Sequence, residues 1–384
     1  MTERHLDRRQ FVREGSALVA AAAAGQVLAA EPANQPIDPK TILNYHPKMH
    51  YRRLGKTGLM LSEVSLGGHW RNRSGGIANV WDTFPNDDVP ADVIKNRTEV
   101  VSACIDAGVN YLDITTAAEC LAYGAALKGR RDKMLLGADD HRLGPRNPAN
   151  RNVKAQVHNV DECLRRLKTD YLDIWRVQAL QSGKHTDAEA AVWIEAFQKL
   201  HQAGKARHFG ISAHARPWLQ HVVETFPEVE MVIFPCTAKT REKGQAPVKG
   251  NVEEGNMLQG WSADTSKSLF QSVRDKNVGV VTIKPFIGGF MFKQQPRFPV
   301  LGSGSQEEND LARLVLQCIL TNDAITATVP GLTTVHEAEN AVRASSQRPL
   351  GMGQGEQQWV ARVTGQCWQN LPEQYAWLRE WEVV

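Results

Sequence analysis

The sequence lacks closely spaced cysteines. Its six cysteines are scattered along 384 residues and none forms a CxxC pair, so zinc or iron–sulfur ligation by paired cysteines is not supported. Cys104, Cys163 and Cys318 fall on apolar faces of predicted helices, where a free thiol packs as a small hydrophobic group. A basic stripe is missing too. The 45 basic and 42 acidic residues give a formal net charge of +3, and nucleic acid is therefore not expected as a partner.

A long hydrophobic run is also absent. The longest apolar stretch near the N-terminus, from Ala17 to Ala24, is too short and too rich in alanine for a stable membrane span. No cysteine lies near its end to carry a lipid anchor. The mean hydropathy is −0.38, with 42% hydrophobic and 23% charged residues, which is typical of a globular protein with material for a large core. We therefore expect no stable membrane anchor.

The first thirty residues have the order of an export signal. The pair Arg8-Arg9 lies in a basic stretch, the apolar run follows, and small residues close it at Val27 to Ala30. Basic, apolar and small residues in this order are typical of a signal peptide. We predict a twin-arginine signal over residues 1–30, recognition by the twin-arginine export machinery, and a periplasmic or otherwise exported protein. An amphipathic surface helix that begins with arginines is the alternative.

Residues beyond this signal divide into a linker, one domain and a tail. The linker is predicted at 31–48, the domain at 49–350 and a C-terminal helical extension at 351–384. Within the domain, short apolar runs alternate with longer helical patterns, which predicts βα units and a parallel sheet. The strand candidates are 64–66, 109–113, 134–138, 172–178, 208–212, 231–235, 278–284 and 325–330.

Eight strands, each followed by a helix, predict the α/β class and a (β/α)8 TIM barrel. A doubly wound open sheet is the alternative. That fold would require a glycine-rich turn after an early strand, and Gly67-Gly68 is the only feature that points to one.

A series of motifs, in the same order along the chain, resembles the aldo-keto reductase family. They are 51–58 with 61–67, 108–113, 125–133, 164–167 with 170–173, 204–212, and 329–331 with Glu339-Asn340. The resemblance spans about residues 50 to 345. It implies a TIM barrel, a nicotinamide cofactor and a small-molecule substrate. In the family, an aspartate at the end of the second barrel strand orients a catalytic lysine, and Asp113 matches that aspartate.

Three other family positions are changed. In the family, a tyrosine five residues after the aspartate donates a proton to the substrate carbonyl, and its acidity is set by a lysine and a histidine. This chain has Ala118 at the tyrosine position, Asp139 at the lysine position and Gln178 at the histidine position. Tyr123 is the nearest tyrosine and stays a candidate donor, with packing inside a helix as the alternative.

These changes predict a different reaction centre. Asp113 and Asp139 would be two carboxylates facing one cavity, and like charges in such a site share a proton or recruit a cation. His69 reaches in from the loop after the first strand. The candidate catalytic residues are therefore Asp113, Asp139, Gln178, His69 and Tyr123. No metal is assigned, although an ion with oxygen-rich ligation stays open, as does the possibility that Asp139 caps its loop and points away.

The resemblance assigns the cofactor to loops at one end of the barrel. Loops after strands seven and eight hold phosphates in such barrels, aided by helix N-terminal amides. The matching residues are Ser212 for the nicotinamide amide, Lys284, Pro285 and Gly288 for the pyrophosphate, and Gly331, Thr333, Glu337 and Asn340 for the adenosine end. No arginine for a 2′-phosphate stands within 333–340, so the prediction is NAD(P) without a preference. Ordinary strand-to-helix turns are the alternative for these glycines.

The sequence thus predicts an exported aldo-keto reductase-like oxidoreductase that retains a nicotinamide cofactor. Trp70, Trp81 and the polar loops suit a carbonyl or polyol/sugar-like substrate, which would react through altered proton transfer. Two alternatives stay open: a non-catalytic binding protein on a reductase barrel, and a carboxylate- or metal-assisted hydrolase or lyase. A conventional aldehyde reductase ranks last, because nothing evident replaces the family tyrosine.

Overall fold

A computed structural model describes residues 38–70, 80, 84–242, 267–293, 306–348 and 351–384. The predicted signal at 1–30, residues 31–37 of the predicted linker and Trp81 lie outside the described residues. In the described residues, no helix combines the length and apolarity that a membrane crossing requires.

The described strands form an antiparallel hairpin and a large parallel sheet. The hairpin pairs β1 (Tyr51–Arg53) with β2 (Met60–Ser62). The parallel sheet contains β3 (Leu66–Gly67), β4 (Tyr111–Ile114), β5 (Leu135–Ala138), β6 (Leu172–Gln178), β7 (Ala206–Ser212), β8 (Met231–Pro235), β9 (Gly279–Ile283) and β10 (Ala327–Thr328). Each of these strands pairs with the next one in the chain, which is the order that successive βα units produce.

The parallel sheet closes on itself between its first and last strands. Val64 and Gly67 form parallel bridges with Thr328 and Gly331. Backbone hydrogen bonds complete the seam, with Ser65 N donating to Thr328 O at 3.0 Å. The predicted (β/α)8 barrel is therefore confirmed.

The main helices of the outer layer are α1 (Ala91–Asp106), α2 (Ala117–Ala126), α3 (Val153–Leu167), α4 (Asp187–Gln202), α5 (Arg216–Thr225), α6 (Leu269–Asp275), α7 (Phe290–Lys293), α8 (Gln306–Leu320), α9 (Val335–Gln347) and α10 (Gln354–Gln369). Three of them begin with a capping box, in which a threonine hydroxyl and a glutamate three residues later bond each other's backbone N–H groups. The pairs are Thr116 with Glu119, Thr186 with Glu189, and Thr334 with Glu337.

Two apolar layers hold the barrel together. The inner one fills the barrel and includes Leu54, Tyr111, Ile174 and Met231. The outer one lies between strands and helices and is larger. The strand Leu172–Gln178 is buried at every residue, as expected for a parallel strand that is covered on both faces.

The chain ends across the carboxyl ends of the strands. We call residues 373–384 the terminal segment; it contains a 3-10 helix at Glu373–Trp381. The indole Nε1 of Trp381 donates to His214 O at 2.7 Å, and its ring stacks on Phe234 at 5.0 Å. The ring of Trp377 stacks on His214 at 4.2 Å. This segment therefore covers loops that follow β7 and β8.

Candidate active site at the mouth of the barrel

Asp113 lies inside the barrel and pairs with an arginine from another strand. Arg176 of β6 donates through Nε to Asp113 Oδ1 at 2.7 Å and through Nη2 to Ile114 O at 2.7 Å. Tyr111 OH adds a bond to the same carboxylate oxygen at 3.3 Å. The side chains of Arg176 and Asp113 are 2% and 9% exposed. The charge compensation that the resemblance assigns to a lysine comes here from a guanidinium on β6, which is separated from β4 by β5.

Burial and pairing act in opposite directions on this ion pair. Burial raises the pKa of the Asp113 carboxyl, and Arg176 opposes that rise. Burial by itself would lower the pKa of Arg176, but Asp113 and other nearby groups raise it above its ordinary value. Arg176 consequently stays protonated beside Asp113, directly beneath the mouth of the barrel.

Asp139 is held away from Asp113. Its Oδ1 accepts from Asn159 Nδ2 at 2.7 Å and from the indole of Trp175 at 3.3 Å. Its Oδ2 accepts from the backbone N–H of Gln178 at 3.1 Å. Burial raises its pKa to about 6. The expectation of two carboxylates facing one open cavity is corrected: neighbouring helix and strand groups occupy the Asp139 oxygens.

Gln178 and the groups beside Asp139 brace the loops. The Gln178 amide donates to Thr115 O at 3.0 Å and to Asp139 O at 3.1 Å, which joins the ends of β4, β5 and β6. Asp140 pairs with Arg166 at 2.9 Å. The described residues contain no group of three or more histidine, cysteine, aspartate or glutamate side chains that could hold a metal ion.

His69 and Glu119 form a dyad next to Asp113. His69 Nδ1 bonds the carboxylate of Glu119; the glutamate is fully buried, whereas the His69 side chain is 40% exposed. Glu119 also accepts from the backbone N–H of Thr116 at 3.0 Å, as part of the capping box of α2. Both members of the dyad lie close enough to Asp113 to act on its pKa. The structure therefore brings Asp113, His69 and Glu119 together.

Tyr123 lies behind this group and not in the cavity. Its ring is fully buried and its hydroxyl donates to Gly68 O at 2.9 Å. Arg97 Nη1 donates to the same hydroxyl at 3.3 Å, and burial raises the tyrosine pKa to about 12. These contacts are those of the packing alternative. The geometry gives no support to Tyr123 as a proton donor.

The nicotinamide end of the predicted cofactor site retains an uncommitted group. Ser212 ends β7, opposite Gln178 in the register of β6 and β7, and is 6% exposed. Its backbone carbonyl accepts from Ala179 N at 3.0 Å, but its hydroxyl has no hydrogen-bond partner in the described part of the chain. A hydroxyl at this place fits the carboxamide of a nicotinamide ring.

The phosphate and adenosine ends are more heavily engaged with the protein itself. Gly288 has a φ of 63°, and a Cβ there would collide with the Tyr375 hydroxyl. Lys284 Nζ lies 6.0 Å from the Trp377 ring centroid. Pro285, the next residue in the chain, is buried. The loop predicted for the pyrophosphate is therefore covered by the terminal segment.

The same holds for the adenosine end. Glu337 accepts from the backbone N–H groups of Thr333 at 2.7 Å and Thr334 at 3.1 Å. Asn340 donates to Asn309 O at 2.8 Å. A Cβ at Gly331 would meet His69 O at 2.5 Å, so this glycine permits the close approach of β10 and the loop after β3. In sum, the chain fits the cofactor best at Ser212.

Sequence reasoning missed Arg176 and Glu119. Arg176 alternates with Ile174 and Gln178 on β6, so its inward position followed from strand periodicity once Ile174 was placed in the inner core. Glu119 stands three residues after Thr116, the spacing of a capping box. Either signal was visible, but neither identified the partner across the barrel.

Comparison with known proteins agrees with the fold. The Aldo/keto reductase family model matches residues 92–351, which is more than half of the chain. L-galactose dehydrogenase of Arabidopsis thaliana is 24% identical over 330 residues, covering 80% of this chain and 92% of that protein. 6-dehydroglucose reductase of Novosphingobium aromaticivorans is 25% identical over 210 residues, covering 48% of this chain and 61% of that protein.

A solved structure supports the same architecture. An aldo-keto reductase from Bacillus halodurans, in its holo form, superposes with a TM-score of 0.55 at 19% identity. The match covers 82% of this chain and 96% of that one. At this identity the likeness establishes the barrel fold.

Proposed function

The chain belongs to the aldo/keto reductase family, and from that premise we propose that it is an exported, NAD(P)-dependent oxidoreductase in which His69 and Glu119 replace the family tyrosine in proton transfer. The substrate is a carbonyl compound or the corresponding polyol or sugar. Two relatives, L-galactose dehydrogenase and 6-dehydroglucose reductase, are named for reactions of sugars, which supports this substrate class.

The observation that carries the proposal is the His69–Glu119 dyad beside Asp113. A carboxylate on Nδ1 fixes the imidazole so that Nε2 exchanges the proton. His69 then removes the proton of a substrate hydroxyl during oxidation and returns it to the carbonyl oxygen during reduction. Glu119 stabilises the imidazolium that forms, and its backbone contacts prevent it from turning away.

Arg176 supplies the second element of the reaction centre. Its Nε and Nη2 are bonded to Asp113 and the end of β4, which leaves Nη1 without a partner among the described residues. A fixed cationic donor at this depth polarises a carbonyl oxygen and stabilises an alkoxide. Ser212 would hold the carboxamide of the nicotinamide, and the cofactor, when bound, supplies or accepts the hydride.

Export and cofactor retention are part of the proposal. The twin-arginine pattern at residues 8 and 9 is the address of proteins that are exported after folding. The terminal segment packs over the loop assigned to the pyrophosphate, with Tyr375 against Gly288. A cofactor enclosed before export is retained where free nicotinamide is scarce, so oxidation and reduction of one substrate can alternate on the same bound cofactor.

The test uses the full chain purified from the exported fraction. We expect acid denaturation to release nicotinamide cofactor, and a panel of aldoses and polyols to change the absorbance of the bound nicotinamide. His69→Gln is expected to lower the rate about 10²- to 10⁴-fold, the typical contribution of a general acid or base, with Glu119→Gln changing it in the same direction. Tyr123→Phe is the matched control and is expected to retain the rate.

Three results would count against the proposal. Protein that contains no nicotinamide and binds none on soaking contradicts the retained cofactor. Loss of activity in Tyr123→Phe with full activity in His69→Gln would return the proton transfer to a tyrosine. Ligand-induced stabilisation with no absorbance change across the whole panel would favour the binding-protein alternative.

A further inference from the structure

One arginine at the mouth of the barrel forms no ion pair with the residues that the structure describes. Arg146 lies in the loop that follows β5, and its Nε donates to Ala179 O at 3.0 Å. Its two terminal nitrogens make no hydrogen bond or ion pair with any described residue. The side chain is half-buried. A guanidinium that is partly removed from water without a carboxylate is costly unless a ligand satisfies it.

The surroundings of Arg146 add to this positive charge. Burial lowers its pKa, and Arg176 lowers it further, while Asp139 acts in the opposite sense. Asp139 makes no hydrogen bond or ion pair with Arg146, and its carboxylate oxygens are bonded to Asn159, Trp175 and the Gln178 backbone. His214 also lies within reach of the charge on Arg146. The local field therefore favours an anion.

The arginine is positioned over the reaction centre. Its anchor, Ala179, directly follows Gln178, and Ala179 N donates to Ser212 O at 3.0 Å. The guanidinium is thus attached between the strand ends that carry the predicted catalytic and nicotinamide positions. The loop is held at both sides: Gly144 N donates to Asp140 O at 2.9 Å, and Arg151 Nε donates to Pro145 O at 2.9 Å. A cationic group held in this way is preorganised for a ligand.

We infer that Arg146 binds an anionic group of the substrate, so that the enzyme acts on an acidic sugar or polyol whose carboxylate or phosphate contacts the terminal guanidinium nitrogens. The reaction of the bound acidic sugar rests on the proposed function, whereas the binding of its anionic group to Arg146 does not. Planar, paired N–H donors match the two oxygens of such groups. The anion then holds the reacting carbon at a fixed distance from His69 and Arg176.

Binding is measured separately from turnover. Thermal stabilisation and calorimetric titration of the full chain would compare D-glucuronate, D-glucose 6-phosphate and D-glucose. We expect at least one of the two anionic sugars to bind about ten to a hundred times more tightly than glucose, the typical effect of a charge-assisted hydrogen-bonded pair. The two anionic probes show whether a carboxylate or a phosphate is preferred.

The variants identify the residue. Arg146→Met is expected to abolish the preference for the anionic sugar, and Arg146→Lys to recover part of it. Arg142→Met, in the same loop and on an exposed residue, is the control and is expected to keep the preference. Affinity for NADPH, measured by fluorescence, should be unchanged in Arg146→Met.

Several outcomes would overturn the inference. Equal binding of all three sugars to the wild-type protein is one, and a preference that survives in Arg146→Met is another. A selective loss of NADPH affinity in Arg146→Met would reassign the arginine to the cofactor phosphate. A protein that shows the anionic preference without any hydride transfer supports this binding site and contradicts only the proposed reaction.

Discussion

The two halves of the barrel mouth differ in how far their polar groups are committed to the fold. On the half formed by β3 to β6, Arg146 and Arg176 keep donor nitrogens without partners in the described chain. On the half formed by β7 to β10, Glu337 caps α9 and Asn340 joins α8. The half that carries the predicted cofactor residues is thus the one whose side chains chiefly serve the structure, with the Ser212 hydroxyl as the exception among the described residues.

This difference separates two kinds of information in a sequence. A loop motif such as that around Glu337 has a structural role, because a helix needs its N-terminal N–H groups satisfied whatever ligand binds. An unpaired buried charge has no such structural reason, since it costs stability. In this molecule we expect the second kind to be the better guide to chemistry.

The largest effect is expected on the Asp113–Arg176 ion pair, in the half of the mouth formed by β3 to β6. Arg176→Met leaves Asp113 buried without its partner and is expected to destabilise the protein by about 3–5 kcal/mol. Urea unfolding of the full chain would measure it. The double variant Asp113→Asn with Arg176→Met should lose much less than the sum of the single variants, because no charge then stays buried. Additive losses would show that the pair is not coupled and would contradict the site described above.

The barrel itself could be predicted from sequence because its signals are local. The strand at 172–178 is buried at every position, with Leu172, Ile174, Trp175 and Val177 as its apolar residues, and Thr116 with Glu119 marks the start of α2 by spacing alone. The predicted strands and helices differ from the observed ones by a few residues, with the hairpin β1–β2 unforeseen. Short pairing of this kind depends on contacts at the bottom of the barrel and not on a long periodic pattern.

The site could be predicted only in part because its contacts are not local. The sequence predicts Asp113 and His69 at the mouth, as strand-end and loop residues of the same barrel face, and the structure has them near each other. The partner of Asp113 is Arg176, 63 residues away along the chain. The resemblance looks for that partner at the lysine position after β5, whereas Arg176 lies on β6. Asp139 shares the inward parity of β5, yet its carboxylate turns to Asn159 and Trp175, since hydrogen bonds there outweigh the pattern.

The second effect is on the pH dependence of stability. It concerns Asp139, which lies behind the half of the mouth formed by β3 to β6. Its pKa is about 6 in the folded protein against an ordinary 3.8, so folding favours the protonated carboxyl. The stability that it contributes is complete below about pH 4 and is lost as the pH rises towards 6, by about 3 kcal/mol. Asp139→Asn lacks this dependence.

Urea unfolding of the wild-type protein and Asp139→Asn at several pH values between 4 and 7 would measure the change. As the pH increases, the unfolding free energy of the wild-type protein should fall by about 3 kcal/mol relative to that of Asp139→Asn. The exposed Asp132→Asn corrects for the removal of a carboxyl as such. A pH-independent difference would place Asp139 in contact with solvent or with a closer cation, and so return it to the cavity.

The smallest effect is expected in the half of the mouth formed by β7 to β10, which the terminal segment covers. Gly288→Ala places a Cβ against the Tyr375 hydroxyl in a left-handed backbone conformation and should cost about 2 kcal/mol. Gly129 has a φ of 76° with no atom near its Cβ position, so Gly129→Ala reports the backbone strain alone, about 1 kcal/mol. The excess in Gly288→Ala, measured by urea unfolding, should disappear in a Tyr375→Ala background, because the contact with the terminal segment is then removed. Equal costs for the two glycine variants in the original background would mean that the terminal segment does not press on this loop, and the contrast between an open and a covered half of the mouth would fail.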